Sequence, residues 1–304
     1  MDEFKNEFSW SKSRDGLFKE CKRRYYLERY GYWDGWKYDA PENVKELYML
    51  KNVKSRHIWI GNVVHDAIKN LLLKHKAGHK LELGYILSSL RKQLEGDFSS
   101  SKSKTYKKYP KTCGLFEHEY DILVSKDEWD ELFKIAEKCI VNFYNSDTFK
   151  QIKTINPSDW VFLEDFLNFD FEGTKVHLKI DFAIKQEDSI VLYDWKTGKE
   201  REDKSIDMQL SSYALYVLQK WSLPPEKVAA KVYNAAIDKE DSFQITGDII
   251  EDTKNYMRQS IQKMKSFLRD EENNIASIED FPKTSDEYRC TRCSFKRVCM
   301  VSDQ

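Results

Sequence analysis

Apolar positions recur at helical spacing through the first half of the chain and at strand spacing from about residue 160 onward. Ile58-Trp-Ile-Gly61-Asn-Val-Val-His65-Asp-Ala-Ile-Lys-Asn-Leu predicts a helix whose buried stripe is Ile60, Val64, Ala67, Ile68 and Leu71. A second helical pattern runs from Leu81 to Leu94, and a third from Asp127 to Asn145 carries Trp129, Leu132, Ala136, Ile140 and Phe143. Ahead of them, Phe8 to Tyr32 reads as a helix in which Lys22, Arg23 and Arg24 stand beside Tyr25 and Tyr26. That run could grip a nucleic-acid backbone and stack on bases, or it could turn its tyrosines into a core. Trp36 to Ser55 reads as an irregular connection with a short helix at its end. Ser99 to Pro110, basic and rich in small residues, reads as an exposed loop whose lysines either touch phosphates or are simply solvated.

Three strand-like runs follow. Trp160 to Phe171 is aromatic and apolar, and Gly173 turns it into Lys175 to Ile184, where Val176, Leu178, Ile180 and Phe182 share one face and Asp181 takes the other. The third, Ile190-Val-Leu-Tyr-Asp194-Trp-Lys196-Thr-Gly198, is a core strand that ends in an acid, an aromatic and a base. Short connections make the three an antiparallel meander. The charged stretch Lys199 to Lys204 reads as a loop, Ile206 to Lys220 as a helix stopped by Pro224-Pro225, Val228 to Ile237 as a strand, and Ile249 to Leu268 as a long amphipathic helix.

The 304 residues are 40% hydrophobic and 14% aromatic, enough for a packed core. Their 50 basic and 51 acidic residues nearly cancel, so any basic surface must be local. No apolar run approaches the roughly 18 residues of a membrane span. The start lacks the charged-then-apolar order of a signal peptide, so the chain is expected in the cytoplasm. Six cysteines in that compartment argue for reduced thiols or metal ligands. Cys290, Cys293 and Cys299 form C-x2-C-x5-C, Cys21 lies near the opposite end, and Cys113 and Cys139 read as ordinary thiols.

Asp194 and Lys196 emerge on one face of their strand, about 6 to 7 Å apart. An ion pair at a strand end would explain them. A second acid from a neighbouring strand changes that picture, because two convergent carboxylates can hold a divalent metal while the lysine faces a phosphate or a water, and Asp181 is the candidate. Gln209 and Tyr213, four apart, stack on one face of the following helix.

In this order the residues resemble the PD-(D/E)XK nuclease core in its RecB-like branch. Gly61-Asn-Val-Val-His65 matches the Gly-x3-His helix, Ile180-Asp181 the Ile-Asp strand, Asp194-Trp-Lys196-Thr-Gly198 the Asp-x-Lys-Thr-Gly strand end, and Gln209-Leu-Ser-Ser-Tyr213 the Gln-x3-Tyr helix. Glu164 stands where the branch often has a strand glutamate. Cys21-Lys-Arg-Arg-Tyr25 together with Cys290, Cys293 and Cys299 is similar to the iron-sulfur nucleases, among them the AddB subunit and the CRISPR-adaptation exonucleases. The likeness covers both ends and the core from about 158 to 237 and leaves 72 to 157 unmatched; Lys179 and Lys22 depart from the family pattern.

The resemblance implies an α/β fold, with a mixed central sheet flanked by helices, a helical N-terminal insertion and a cluster joining the termini. Its parts would be an N-terminal segment to residue 57, a helical region 58–157, a nuclease core 158–240 and a C-terminal helix and cysteine segment 241–304. Asp181, Asp194, the carbonyl of Trp195 and His65 are the implied ligands of Mg2+ or Mn2+. Lys196 would orient water or stabilise phosphate charge, Glu164 would help through a water, and Gln209 and Tyr213 would contact DNA or the catalytic residues. The four cysteines would hold a [4Fe-4S] cluster, although four thiolates also satisfy a structural zinc. The implied activity is a DNA exonuclease acting on single strands or free ends, with a helicase or CRISPR-adaptation protein as partner. The alternative is a DNA-binding or structural subunit that does not cut.

Overall fold

Short polar side chains set where helices begin, each accepting the backbone N–H three residues on: Ser11 from Arg14, Ser55 from Ile58, Ser125 from Glu128, Asp207 from Leu210 and Thr246 from Ile249. The computed structural model describes residues 5–199 and 206–300. It opens with α1 (Lys12–Glu20) and α2 (Lys22–Tyr26), the latter continued by a π turn Leu27–Gly31, then α3 (Glu42–Asn52) and the two-residue strand β1 (Val53–Lys54). There follow α4 (Arg56–Lys76), α5 (Leu83–Lys102), β2 (Gly114–Leu115), α6 (Phe116–Glu119), α7 (Lys126–Asn145) and α8 (Asp147–Thr154). The second half runs β3 (Trp160–Phe171), β4 (Thr174–Gln186), β5 (Ser189–Lys196), α9 (Met208–Trp221), β6 (Val228–Asn234), β7 (Lys239–Gln244), α10 (Gly247–Lys265), α11 (Glu287–Thr291) and α12 (Lys296–Met300).

Strands β3 to β7 form one mixed sheet in chain order. The first three make the expected antiparallel meander; α9 then carries the chain over so that β6 lies parallel to β5, and β7 returns antiparallel. One side of the sheet is covered by α4, α5 and α7, with Trp59, Val63, Ile140, Phe143, Phe182 and Trp195 in its core. The other side is covered by the N-terminal helices, α9 and α10, with Phe18, Tyr25, Leu210, Val217, Met257 and Phe281. A smaller core of Leu27, Leu50, Tyr106, Phe116 and Phe295 joins the N-terminal segment, the insertion and the tail.

Several expectations from the sequence need correction. The N-terminal run is not one helix, because Cys21 takes an extended conformation (φ −159°) between α1 and α2. Tyr25 is buried and Tyr26 packs on Phe281, so these rings serve the core and not bases. The connection 36–55 contains the full helix α3. Of the stretch 99–110, residues to Lys102 belong to α5, and Ser101 and Tyr106 are buried; the Ser101 hydroxyl accepts the N–H of Leu115 at 2.8 Å. Strand β7 was not anticipated: its sequence Lys-Glu-Asp-Ser-Phe-Gln is polar, as suits a sheet edge protected from further pairing. Ile180 and Phe182 pack in different layers, not on one face. Of the charged stretch expected as a loop, residues 200–204 lie outside the described residues.

Candidate active site

Helix α4 lies close to the end of β5 because Gly61 has no side chain. A Cβ there would sit 3.3 Å from the Thr197 hydroxyl. One turn on, and so on the same helix face, His65 turns its Nδ1 to 3.4 Å from Glu164 Oε1 and 3.5 Å from Asp181 Oδ1. The three side chains can bring ligand atoms within 4.8 Å of one another. The other Asp181 oxygen is fixed by the backbone N–H of Trp195 at 2.8 Å, which docks the end of β5 against β4.

The strands are irregular at two places, a register shift between Trp160 and Phe162 and the backbone at Glu164. Leu163 pairs with Phe182 and Asp165 with Ile180, so Glu164 and Asp181 face each other across β3 and β4. Glu164 has φ +55°, a left-handed conformation unusual for a strand glutamate. At the same point the layer assignment switches, Ile180 packing under α9 and Phe182 under α4. The broken alternation is what carries both acids to one place.

Asp194 and Lys196 emerge on the same face of β5 as expected, with Nζ 2.6 Å from Asp194 Oδ2. Gln209 donates to Asp194 Oδ1 at 3.2 Å and to the Tyr213 oxygen at 2.6 Å, and Tyr213 donates to the Lys179 carbonyl at 2.5 Å. The Lys179 ammonium in turn pairs with Glu164. Thus Glu164, Lys179, Tyr213, Gln209, Asp194 and Lys196 form one continuous polar chain around the site. Lys179 had no expected role, although its two-residue offset from Asp181 on a strand could have suggested one. Glu164 stands directly beside His65 and Asp181, closer in than the water-mediated role expected for it. Tyr213 is only 4% exposed and packs in the core under the sheet, so its ring is structural while its hydroxyl belongs to the site.

The charges are strongly coupled. Burial disfavours a charged His65, yet hydrogen bonding and charge from Asp181 and Glu164 outweigh it and push its pKa up to about 10. Asp194 is pushed up to about 7, by burial first and then by the charge of Asp181, against the pull of Lys196. Burial would raise Glu164, but its pairing with His65 and Lys179 holds it below the usual range. Both Glu164 oxygens and Asp194 Oδ2 are buried and met only by charged partners, Lys179 and His65 for Glu164 and Lys196 for Asp194. Buried carboxylate oxygens beside an imidazole make a donor set suited to a divalent cation.

The four clustered cysteines also converge. Cys21, Cys290, Cys293 and Cys299 line one cavity of about 210 Å³. Among the described residues the one group that brings three candidate ligand atoms within 4.8 Å is His65, Glu164 and Asp181. The break at Cys21 aims its thiol at the tail, and Arg23 holds the tail in place, its backbone N–H donating to Pro282 O at 3.1 Å and its Nε to Phe281 O at 2.7 Å. Burial pushes the Cys293 thiol up to about 11. Cys139 is buried in the α7 core and Cys113 packs against that core, so neither lines the cavity.

A family model for the PD-(D/E)XK nuclease superfamily matches residues 9–300, and the chain belongs to that superfamily. Its members are generally nucleases and usually employ Mg2+ or Mn2+. No curated protein matches the chain. No described helix is long and apolar enough to cross a membrane.

Proposed function

We propose that this protein is an active, divalent-metal-dependent deoxyribonuclease, an exonuclease acting on single-stranded DNA or DNA ends. The convergence of His65, Glu164 and Asp181 beside the Asp194–Lys196 pair carries this reading. Asp181 and Asp194 with Lys196 would be the acids and lysine of the superfamily motif. His65, Glu164, Asp181, Asp194 and the Trp195 carbonyl are the groups that would hold Mg2+ or Mn2+. When bound, the ion would neutralise phosphate charge and lower the pKa of a water.

The chain's own groups supply the rest. Lys196, neutralised on one side by Asp194, would orient the attacking water and stabilise charge on the phosphate. Gln209 holds Asp194 from the α9 side, and Tyr213 anchors Gln209 to the β4 backbone, so the acid keeps one rotamer. Lys179 balances Glu164 and keeps that carboxylate ionised, and its ammonium lies 5.5 Å from the ring centre of Phe166, an exposed aromatic beside the site that offers a face to a base.

We assign the cysteine cavity to a [4Fe-4S] cluster. One distant cysteine with three clustered ones is the arrangement that the resemblance assigns to [4Fe-4S], whereas a structural zinc usually takes two close pairs. The cluster would have a structural role, clipping the two ends of the chain together. Action beside a helicase or a CRISPR-adaptation protein remains part of this reading through the resemblance of the cysteine pattern.

The test is incubation of anaerobically purified protein with end-labelled and circular single- and double-stranded DNA in Mg2+ or Mn2+. Asp181→Ala, Asp194→Ala and Lys196→Ala should each abolish cleavage and retain DNA binding, which comes mainly from surface cations. Near-parental cleavage by Asp194→Ala would refute the assignment.

A further inference from the structure

A basin of about 1510 Å³ opens between the turn ahead of α3, α3 itself and the segment 107–111. It exceeds the roughly 300–1,000 Å³ of a small-molecule pocket and is the size for a polymer. Aromatic rings form its wall. Tyr32 and Tyr48 stack at 6.1 Å, and Trp36 meets Trp33 edge-on at 5.1 Å while also touching Tyr32 and Tyr48. At the rim, Trp36, Tyr38 and Tyr109 are 41%, 97% and 55% exposed, so this apolar surface does not serve the core.

The turn that presents these rings is specially built. Asp34 has φ +66°, and a Cβ on Gly35 would lie 2.5 Å from the Val44 carbonyl, so only glycine lets Trp33 and Trp36 close onto α3. The basin is also cationic. Lys45 and Arg297 are paired with its acids Glu42 and Glu46, and Lys107 reaches Glu119. Lys51, Lys108 and Lys111 line the same space and pair with no carboxylate among the described residues. Lys51 lies 3.3 Å from the ring centre of Tyr32, and burial with the charge of Arg29 pushes its pKa down to about 8, so an incoming anion would stabilise its charged form.

Exposed rings for stacking, interleaved with cations that lack an anion, are the two ingredients of a single-strand binding platform. We propose that this basin binds single-stranded nucleic acid, with bases on Trp36, Tyr38 and Tyr109 and the backbone along Lys51, Lys108 and Lys111. The proposal rests on the nuclease reading and deepens it by adding a second contact zone for the same strand. The four residues from Asn52 to Arg56 reach at most about 14 Å, and the nine from Arg56 to His65 add about 13.5 Å along α4. The basin edge therefore lies within about 28 Å of His65, at most about eight nucleotides at roughly 3.4 Å each.

The test uses the full chain with fluorescein-labelled oligothymidylates of 20 and 5 nucleotides, binding read by anisotropy in EDTA and cleavage read in Mn2+. Trp36→Ala and Tyr38→Ala should each weaken 20-mer binding about 5- to 150-fold and change cleavage of the 5-mer much less than that of the 20-mer. The double variant Lys108→Ala/Lys111→Ala should lower the slope of log affinity against log salt by about 1.4. Tyr38 is almost fully exposed, so its variant carries no folding penalty to confuse the result. If Trp36→Ala and Tyr38→Ala bind the 20-mer as the parent does, the proposal is overturned and a protein partner becomes the occupant of choice. A parent that cleaves both oligonucleotides alongside such variants sinks the basin alone. A parent that cleaves neither, with binding still weakened in the variants, sinks the nuclease reading and leaves the basin standing.

Discussion

Replacing Glu164 by glycine should abolish cleavage while leaving the metal-free chain about as stable as the parent, or more so. The left-handed backbone costs a non-glycine residue about 1–2 kcal/mol, which glycine recovers, less about 0.5–1 kcal/mol for the extra freedom of the unfolded chain. The carboxylate is buried, and the substitution also removes the cost of taking its charge out of water. Against these stand the ion pairs. Lys179 has a 38% exposed side chain, so its pair is solvent-screened and contributes about 1 kcal/mol or less. His65 keeps Asp181 at 3.5 Å and can release its proton, which prevents the large loss expected when a buried charge is stranded. Glu164→Ala retains the backbone strain and should be about 0.5–1 kcal/mol less stable than Glu164→Gly. Urea unfolding in EDTA measures the first comparison, and Mn2+ titration with a cleavage assay the second, where both variants should lose at least about a hundredfold. An alanine variant more stable than the glycine one would refute the strain argument. A glycine variant cutting at nearly the parental rate would remove Glu164 from the site.

Three other outcomes follow from the same geometry. Tyr213→Phe keeps the ring in the core and strands the Lys179 carbonyl, so stability should fall by about 1–3 kcal/mol together with activity, whereas Tyr213→Ala should cost about 3–5 kcal/mol in urea unfolding; a Tyr213→Phe variant as stable and active as the parent would mean the hydroxyl does nothing. Because the folded His65 pKa is raised to about 10 from an ordinary 6.5, its contribution to the metal-free chain is full below pH 6.5 and disappears as pH rises through 10, and Mn2+ should bind more tightly with rising pH as that proton is displaced. His65→Ala should flatten both profiles, and pH-independent Mn2+ binding by the parent would count against the ligand assignment. Anaerobic protein should be brown with about four irons and four sulfides per chain; Cys299→Ser should bleach it and Cys113→Ser should not, while colourless protein with one zinc would transfer the site to zinc.

Much of the site was legible because regular elements obey simple periods. Two-residue alternation was enough to place Asp194 and Lys196 together, and the stripe from Ile60 to Leu71 oriented α4 so that Gly61 and His65 share a face. What escaped lies where a period breaks without a glycine or proline to announce it. Glu164 takes a left-handed conformation that its side chain does not favour, and from that one residue follow the switch of Phe182 to the other layer and the direct approach of Glu164 to His65. Cys21 breaks a run whose composition is wholly helical, because its thiol caps α2 by accepting from the Arg24 N–H and the chain must turn there to meet the tail. Tyr25 read equally well as a base-stacking residue or a core residue; only tertiary packing decided between them.

The cysteine cavity and the aromatic basin are mechanically connected, although no cysteine touches the basin. Arg297, in the basin wall, belongs to α12 with Cys299, and it reaches back to Glu46 on α3 at 2.6 Å and to the buried Glu119. Phe295 is fully buried in the small core with Leu27 and Leu50, and the Tyr120 hydroxyl donates to the Ser294 carbonyl at 2.6 Å. The tail therefore braces α3 from below while its thiols face Cys21. A group holding all four sulfurs fixes that brace, and its loss frees α12 and with it the Arg297 pairs that position the basin wall. Cys299→Ser should accordingly weaken binding of the 20-mer as well as bleach the protein, while the 5-mer, with fewer nucleotides to lay on the basin, should be cut at a rate closer to the parent's.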